Sequence, residues 1–270
     1  MFSDYLTRWD LIPDGDPIIT PGSRLLPVRQ CGIPAMLKVI LAAEEKTGGV
    51  LMAWWDGHGA ARVFAREDDA ILLERAQGKV SLADLARNGR DDEASRIICG
   101  VVEKLHAARV KPLPELMSLS QCFQELEPAA AVHGGILSRS AATAQELLAA
   151  PREVRVLHGD VHHDNILDFQ ERGWLAIDPK GLIGERGFDY ANLFCNPDLS
   201  DPNYPVATFP DRFARRVEVV SQAAGLERKR LLQWILAWAG LSAVWYLSDG
   251  VEPTIDLKVA ELAAAALANS

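Results

Sequence analysis

Residues 157–178 read LHGDVHHDNILDFQERGWLAID. Asp160 is followed five residues later by Asn165, and thirteen residues after that Asp178 closes a short apolar run that begins at Trp174. The apolar residues 154–157 predict a strand ending at this loop, and Gly159 permits a tight backbone just before Asp160. A turn at residues 170–173 predicts a hairpin whose second strand returns Asp178 to the neighbourhood of Asn165. An Asp, an Asn and a second Asp delivered in this order suit phosphoryl transfer from a nucleotide, where the protein supplies positioning and charge neutralisation more than covalent chemistry. Asp160 is then the base or orienting carboxylate for an acceptor hydroxyl. Asn165 and Asp178 offer hard oxygens to Mg²⁺ beside those of phosphate.

Rival readings of the same stretch are weaker. His158, His162 and His163 lack the spacing of three ligands to a catalytic zinc. His158 reads as a hydrogen-bonding brace of the loop and His163 as a loop residue without a role. No Gly-x-Ser-x-Gly occurs, which weighs against a serine hydrolase.

Toward the N-terminus, residues 17–20, 24–29 and 35–40 read as strands joined by tight turns, and residues 61–65 and 70–74 as two more. Lys38 lies within the third strand, and acidic residues follow at Glu44 and Glu45 on a predicted helix start. A lysine held by a carboxylate from a neighbouring helix can meet nucleotide phosphates. The turn Thr20-Pro21-Gly22-Ser23 is the candidate phosphate-covering loop, although its one glycine is not GxGxxG. Residues 74–78, from Glu74 through Ala76 to Gly78, form a candidate hinge whose backbone could read an adenine edge.

From residue 81 the pattern turns helical. Helices are expected over much of 81–150, with Pro128 as a break, and over 211–224, 228–247 and 255–268; Asp189 is expected to begin another. The run 231–247 approaches the length of a membrane span, but Gln233, Gly240 and Ser242 interrupt it, so a buried helix is expected. The layout is α+β, with a strand-rich lobe over residues 1–77, a helix-rich lobe over 78–270 and the catalytic loop at their junction.

The formal charge of -9 and the absence of a basic tract disfavour a nucleic-acid partner and suit a cationic small substrate. The four cysteines show no CxxC and no metal-ligand spacing, so they are read as reduced thiols in a cytoplasmic protein. The start MFSDYLTRWD lacks the basic and apolar regions of a secretory signal.

HGDVHHDN resembles the catalytic loop of the aminoglycoside phosphotransferase branch of the protein-kinase-like fold, and IDPKG stands where protein kinases carry DFG. RLLPVRQ, PAMLKV, WWDGHGAARVFA, RGWLAIDPKGLIGERGFDYANLF and NPDLSDP are similar to segments of the streptomycin 6-kinase family, also described as aminoglycoside/hydroxyurea resistance kinases. The resemblance spans nearly the whole chain. It implies a bilobal protein-kinase-like fold, with a small antiparallel-sheet N-lobe and a larger helical C-lobe, and transfer of phosphate from ATP to the 6-hydroxyl of streptomycin. It further implies Asp160 as catalytic, Asn165 and Asp178 as Mg²⁺ ligands, Lys38 as the phosphate-contacting lysine with Glu45 as partner, and Asp189 as a brace of the loop. Streptomycin carries two guanidinium groups, for which Glu185, Asp198, Asp201, Asp249, Glu252 and Asp256 are candidate carboxylates. Trp245 and Tyr246 could pack on a guanidinium, but their helical spacing favours helix core. Two alternatives stay open: a kinase of another small hydroxylated molecule, such as hydroxyurea or a metabolite, and a nucleotide-binding pseudokinase. A complete set of Lys38, Asp160, Asn165 and Asp178 argues against the second.

Overall fold

The computed structural model describes residues 1–42, 45–67 and 69–269. Six strands form the N-terminal sheet: β1 (Leu11–Pro13), β2 (Ile18–Ile19), β3 (Ser23–Gln30), β4 (Ile33–Ile40), β5 (Val63–Glu67) and β6 (Ala70–Glu74). They run antiparallel in the order β1-β3-β4-β6-β5, with β2 also paired to β3. The period of two along β4 assigns its faces. Ala35, Leu37 and Val39 pack with Leu26, Val28 and Leu72 beneath a short helix, α1 (Ser3–Arg8), through Tyr5 and Leu6. Met36, Lys38 and Ile40 face the other way, into the cleft between the lobes. The helix α2 (Glu45–Trp55) follows β4. Neither α1 nor β1 was legible in the sequence, which suggested five strands; both are too short for their periodicity to register.

The C-terminal lobe holds α3 (Leu82–Leu85), α4 (Asp91–His106), α5 (Leu119–Cys122), α6 (Leu126–His133), α7 (Gly135–Ala149), α8 (Pro210–Ala224), α9 (Arg228–Ser248) and α10 (Thr254–Ala268). The expectation that Pro128 breaks the chain is corrected: it sits in the first turn of α6, where the missing N–H has no helical partner to lose. Helix α9 packs against α7, α8 and α10. By length and composition it could cross a membrane, but most of its apolar span is buried inside this lobe, where Trp234 meets Phe123 and Phe188 edge to face. Residues 189–194 are not a regular helix as expected but two 3₁₀ turns, Arg186–Tyr190 and Asn192–Cys195.

Two small sheets sit at the junction of the lobes. Strand β11 (Leu182–Glu185) lies between β7 (Met117–Ser118) and β8 (Val154–Leu157). The hairpin β9 (Ile166–Asp168) and β10 (Trp174–Ala176) pairs Ala176 with Ile166. Hydrogen bonds from Ala61 N–H to the Ala176 carbonyl and from Ala176 N–H to the Gly59 carbonyl, each 2.9 Å, stitch this hairpin to the strand-rich lobe.

Candidate active site

A cavity of about 640 Å³ opens under the sheet, walled by Leu25, Met36, Ile71, Leu73 and Phe169 and edged by Glu74, Arg75 and Ala76. Such an apolar slot with few polar groups at its ends suits a flat heterocycle. The Glu74 carboxylate is engaged by Arg172 and by the Arg62 N–H, and its own N–H donates to the Arg62 carbonyl at 2.8 Å, so the Glu74 side chain is not free to meet a ligand at this edge. At the far end lie Thr20, Gly22, Ser23, Lys38, Glu45 and Asp178. Lys38 Nζ is 2.7 Å from Glu45 Oε2 and 2.5 Å from Asp178 Oδ1. Burial works against the Lys38 ammonium, but the two carboxylates outweigh it and raise its pKa. Burial likewise opposes ionisation of Asp178, and Lys38 reverses that and holds its pKa low. Glu44, the other acidic candidate on this helix start, lies outside the described residues.

The Thr20–Ser23 turn is tied by a 3.1 Å bond from Ser23 N–H to Thr20 Oγ1. Gly22 packs against the end of the Glu45 side chain: a Cβ there would stand 2.0 Å from Glu45 Oε1, so the carboxylate would have to shift. Gly22→Ala should therefore displace Glu45 from Lys38; if the cavity takes a nucleotide, its affinity should fall about 10- to 100-fold, the equivalent of one charge-assisted hydrogen bond. Titration calorimetry against Mg-ATP checks this, and unchanged affinity would mean that the Lys38–Glu45 pair does not serve the nucleotide.

The loop after β8 is fixed from below by Asp189. Its carboxylate accepts from His158 N–H at 2.9 Å and Gly159 N–H at 2.7 Å, and from His106 Nε2 at 2.8 Å. Gly159 takes the positive φ of +85° that this turn demands. His158 uses both ring nitrogens: Nε2 donates to the Ile177 carbonyl at 2.8 Å and Nδ1 accepts from Asp160 N–H at 3.2 Å. Burial lowers its pKa, consistent with the neutral ring those bonds need. His158 and Asp189 are thus braces, as anticipated. His163 was read as a roleless loop residue, but it is buried and packed near Arg216 and Arg87; burial and those cations hold its pKa well below the usual value.

Asp160 carries the convergence. Asn192 Nδ2 donates to its Oδ1 at 2.8 Å, and Asn165 Nδ2 donates to its carbonyl at 2.9 Å and to Oδ2 at 3.3 Å. Ile177 N–H bonds the Asn165 carbonyl at 2.9 Å, which ties the segment bearing Asp178 to the same loop. Asp178 itself adopts φ of +58°, a backbone state uncommon outside glycine that Asp tolerates better than most. With its amide nitrogen given to Asp160, Asn165 has its amide oxygen left for a metal, and the Asp178 side chain is 42% exposed. Among the described residues no three His, Cys, Asp or Glu side chains cluster to hold a metal. The Asn165 amide oxygen and the Asp178 carboxylate are hard donors, the kind that suits an ion such as Mg²⁺ taking its remaining ligands from phosphate and water.

Beyond Asp160, a second cavity of about 460 Å³ is lined by His162, Lys180, Asn192, Trp238, Trp245, Tyr246 and Asp249, among others. Trp245, 40% exposed, and Tyr246 thus face a pocket and are not the core residues expected from their helical spacing. Of the carboxylates proposed for a cation, Asp249 lines this pocket and Glu252 and Asp256 line an adjoining one that shares Tyr246. Glu185 is corrected, and Asp198, which also lines the adjoining pocket, has its carboxylate taken up by backbone N–H groups. Glu185 is buried in an ion pair with Arg230 at 2.5 Å and accepts from Trp234 Nε1 at 2.8 Å. Asp198 caps the backbone N–H groups of Val206, Ala207 and Thr208. Asp201 bonds the backbone and side chain of Asn203. Residue type signals charge but not burial, so sequence could not separate these groups. Asn192 and Lys180 were missed altogether; Asn192 reaches Asp160 from 32 residues away and only the tertiary structure joins them.

Asp256 is buried beside Ser242 and Cys195, and burial pushes its carboxyl up to about 6. Its folded pKa exceeds the ordinary 3.8, so the native state holds the proton more tightly and stability falls as pH rises between about 4 and 6. Asp256→Asn should gain about 2–3 kcal/mol at pH 8, at ~1.36 kcal/mol per pKa unit, and flatten that slope. Urea unfolding from pH 4 to 8 decides it; parallel curves for parent and variant would show that Asp256 is not buried as an acid.

The small antiparallel sheet, the helical lobe, the cleft between them and the loop carrying Asp160 and Asn165 make this a protein-kinase-like fold. Solved structures of similar fold include a choline/ethanolamine kinase family protein from Mesorhizobium loti (TM-score 0.65, 15% identity, 98% of this chain and 94% of that one) and the aminoglycoside phosphotransferase APH(3'')-Id from Streptomyces rimosus (TM-score 0.58, 18% identity, 85% and 92%). The chain belongs to the aminoglycoside/hydroxyurea antibiotic resistance kinase family, whose profile matches residues 8–250. It is 54% identical over 245 residues to a streptomycin 3''-kinase of Klebsiella pneumoniae, covering 91% of this chain and 92% of that protein. It is 30% identical over 256 residues to a streptomycin 6-kinase of Streptomyces griseus, covering 90% and 81%.

Proposed function

We propose that this chain is an ATP- and Mg²⁺-dependent phosphotransferase that inactivates streptomycin. The observation that carries the reading is the meeting of two cavities at one loop. The apolar slot ends at Lys38 and Asp178, the aromatic and acidic pocket begins at Asp160, and Asn165 bonds to both sides. In this reading the slot takes the adenine, with the backbone of Glu74 and Ala76 at its edge and Ser23 at the phosphate end. Residues 1–77 form the nucleotide-binding lobe, and 78–270 carry the catalytic loop and the acceptor site, with Phe169 and Asp178 also closing the nucleotide cavity. Lys38, steadied by Glu45, grips phosphate oxygens; Asn165 and Asp178 would hold Mg²⁺, which neutralises phosphate charge when bound. Asp160, its carboxylate oriented by Asn192 and Asn165, receives the proton of the acceptor hydroxyl. Trp245, Tyr246 and Asp249 offer aromatic faces and a carboxylate to a guanidinium-bearing acceptor. The reaction belongs to the cytoplasm, where ATP is available.

The acceptor hydroxyl has two candidates. The resemblance in sequence pointed to the 6-hydroxyl, but the 54% identical Klebsiella protein is a streptomycin 3''-kinase, and that higher identity favours the 3''-hydroxyl. The test is to incubate the protein with Mg-ATP and streptomycin, and to locate the phosphate by fragment mass and phosphorus NMR. A single phosphate on the 3''-hydroxyl supports the assignment, and one on the 6-hydroxyl restores the first expectation. ATP turnover with hydroxyurea or another small hydroxyl compound, and none with streptomycin, would overturn the acceptor altogether.

A further inference from the structure

Lys180, in the IDPKG segment, is a lysine at the mouth of a pocket that the proposed function gives to a cation. Its Nζ lies 3.7 Å from Asp160 Oδ2, its side chain is 44% exposed, and it lines the acceptor pocket with Asp249, Trp245 and Tyr246. It also follows Asp178 by two residues and helps hold that carboxyl ionised. Its backbone is fixed: Lys180 N–H donates to the His158 carbonyl at 2.7 Å, so the side chain starts from the braced catalytic loop. An ammonium here repels a guanidinium-bearing acceptor and costs binding, so its use must lie with an anion. The anion that passes between Asp178 and Asp160 is the transferring phosphoryl group.

We propose that Lys180 is a catalytic residue of this phosphotransferase, its ammonium stabilising the equatorial oxygens of the phosphoryl group in flight; the inference rests on the function proposed above. In the step, the acceptor oxygen forms a bond to the γ-phosphorus while the bond from that phosphorus to the β,γ-bridging oxygen breaks. The acceptor proton passes to Asp160, and ADP leaves with the bridging oxygen. The phosphoryl group moves from the Lys38 side of the site toward the Lys180 side with its charge spread over three equatorial oxygens, while the leaving charge stays on ADP, so a fixed cation at Lys180 meets the group in flight better than bound ATP.

The test compares Lys180→Met and Lys180→Arg with the parent, using Mg-ADP alone and Mg-ADP with aluminium fluoride as probes in calorimetry, beside steady-state kinetics with streptomycin. Lys180→Met should lower kcat about 100-fold, the scale for removing one preorganised charge donor. Its KM for ATP should stay within about three-fold and its KM for the cationic acceptor should fall, since uniform binding is not what is lost. Aluminium fluoride should tighten Mg-ADP on the parent, and on Lys180→Arg in part, but not on Lys180→Met. A structural brace would not give that split. If Lys180→Met keeps kcat within about three-fold of the parent, or loses Mg-ADP affinity as fast as kcat, the assignment is wrong although the phosphotransferase reading stands. If the parent itself binds no nucleotide, that reading falls and this one with it.

Discussion

Asp160→Asn should lower kcat about 10²- to 10⁴-fold, the range for a positioned general base, while Mg-nucleotide affinity changes by no more than about three-fold. The asparagine has the same shape, so the test removes charge and basicity with little change in packing. The Asp160 carboxylate accepts from Asn192 Nδ2 and Asn165 Nδ2 on its two oxygens, and the amide can satisfy only one of those donors. The cavity proposed for the nucleotide is lined by other residues, which is why binding should survive. Stopped-flow or coupled-assay kinetics with streptomycin, beside calorimetry with Mg-ADP, separate the two quantities. Should the variant retain kcat within about three-fold, Asp160 is no base and the reaction relies on positioning and electrostatics alone. Asn192→Ala offers a graded comparison, since it leaves the carboxylate in place but frees Oδ1 from its orienting donor.

What the sequence could reveal followed from locality. Asp160, Asn165 and Asp178 are brought together by one loop and one hairpin, so their spacing alone predicted the cluster, and the structure shows the hairpin and the bond between Asn165 and Asp160. Lys38 was legible as a lysine inside a strand followed by acidic residues, and the structure puts it on one face of β4 with Met36 and Ile40, all three on the cavity wall. The acceptor pocket was hidden for the converse reason. Its lining comes from the catalytic loop, the 3₁₀ turns and α9, which no sequence spacing links. Helix α9 is apolar nearly all round, so periodicity cannot tell Trp245, which faces the pocket, from Trp234, which faces the core. Buried charge is just as opaque. Glu185 and Asp249 are both acidic residues near the end of an apolar run, yet one is sealed against Arg230 and the other lines the pocket.

Asp91→Ala should cost about 3–5 kcal/mol, the penalty for leaving the partner of a buried ion pair alone. Asp91 begins α4, Arg216 lies in α8, and neither side chain is measurably open to water. The pair is two-pronged, with Arg216 Nη2 to Asp91 Oδ1 at 2.6 Å and Nε to Oδ2 at 3.2 Å. Arg216 Nη1 spans further, to the carbonyls of Leu193 at 2.7 Å and Asn196 at 2.6 Å. Asn196 Nδ2 in turn donates to Asn192 Oδ1 at 2.8 Å, and Asn192 donates to Asp160. The guanidinium therefore holds two helices together and fixes the turn that orients the candidate base. Against a total stability of order 5–15 kcal/mol, the loss would bring unfolding close to working temperature. Arg216→Met removes the charge along with its partner's need for it only if Asp91 is also replaced, so the double variant Asp91→Ala/Arg216→Met should lose less than the two single variants summed. Urea denaturation of all four proteins completes the cycle. Additive losses would show that the two side chains do not act as a pair. A double variant that is stable but slow, with normal Mg-ADP affinity, would show that the network's second task is the orientation of Asp160.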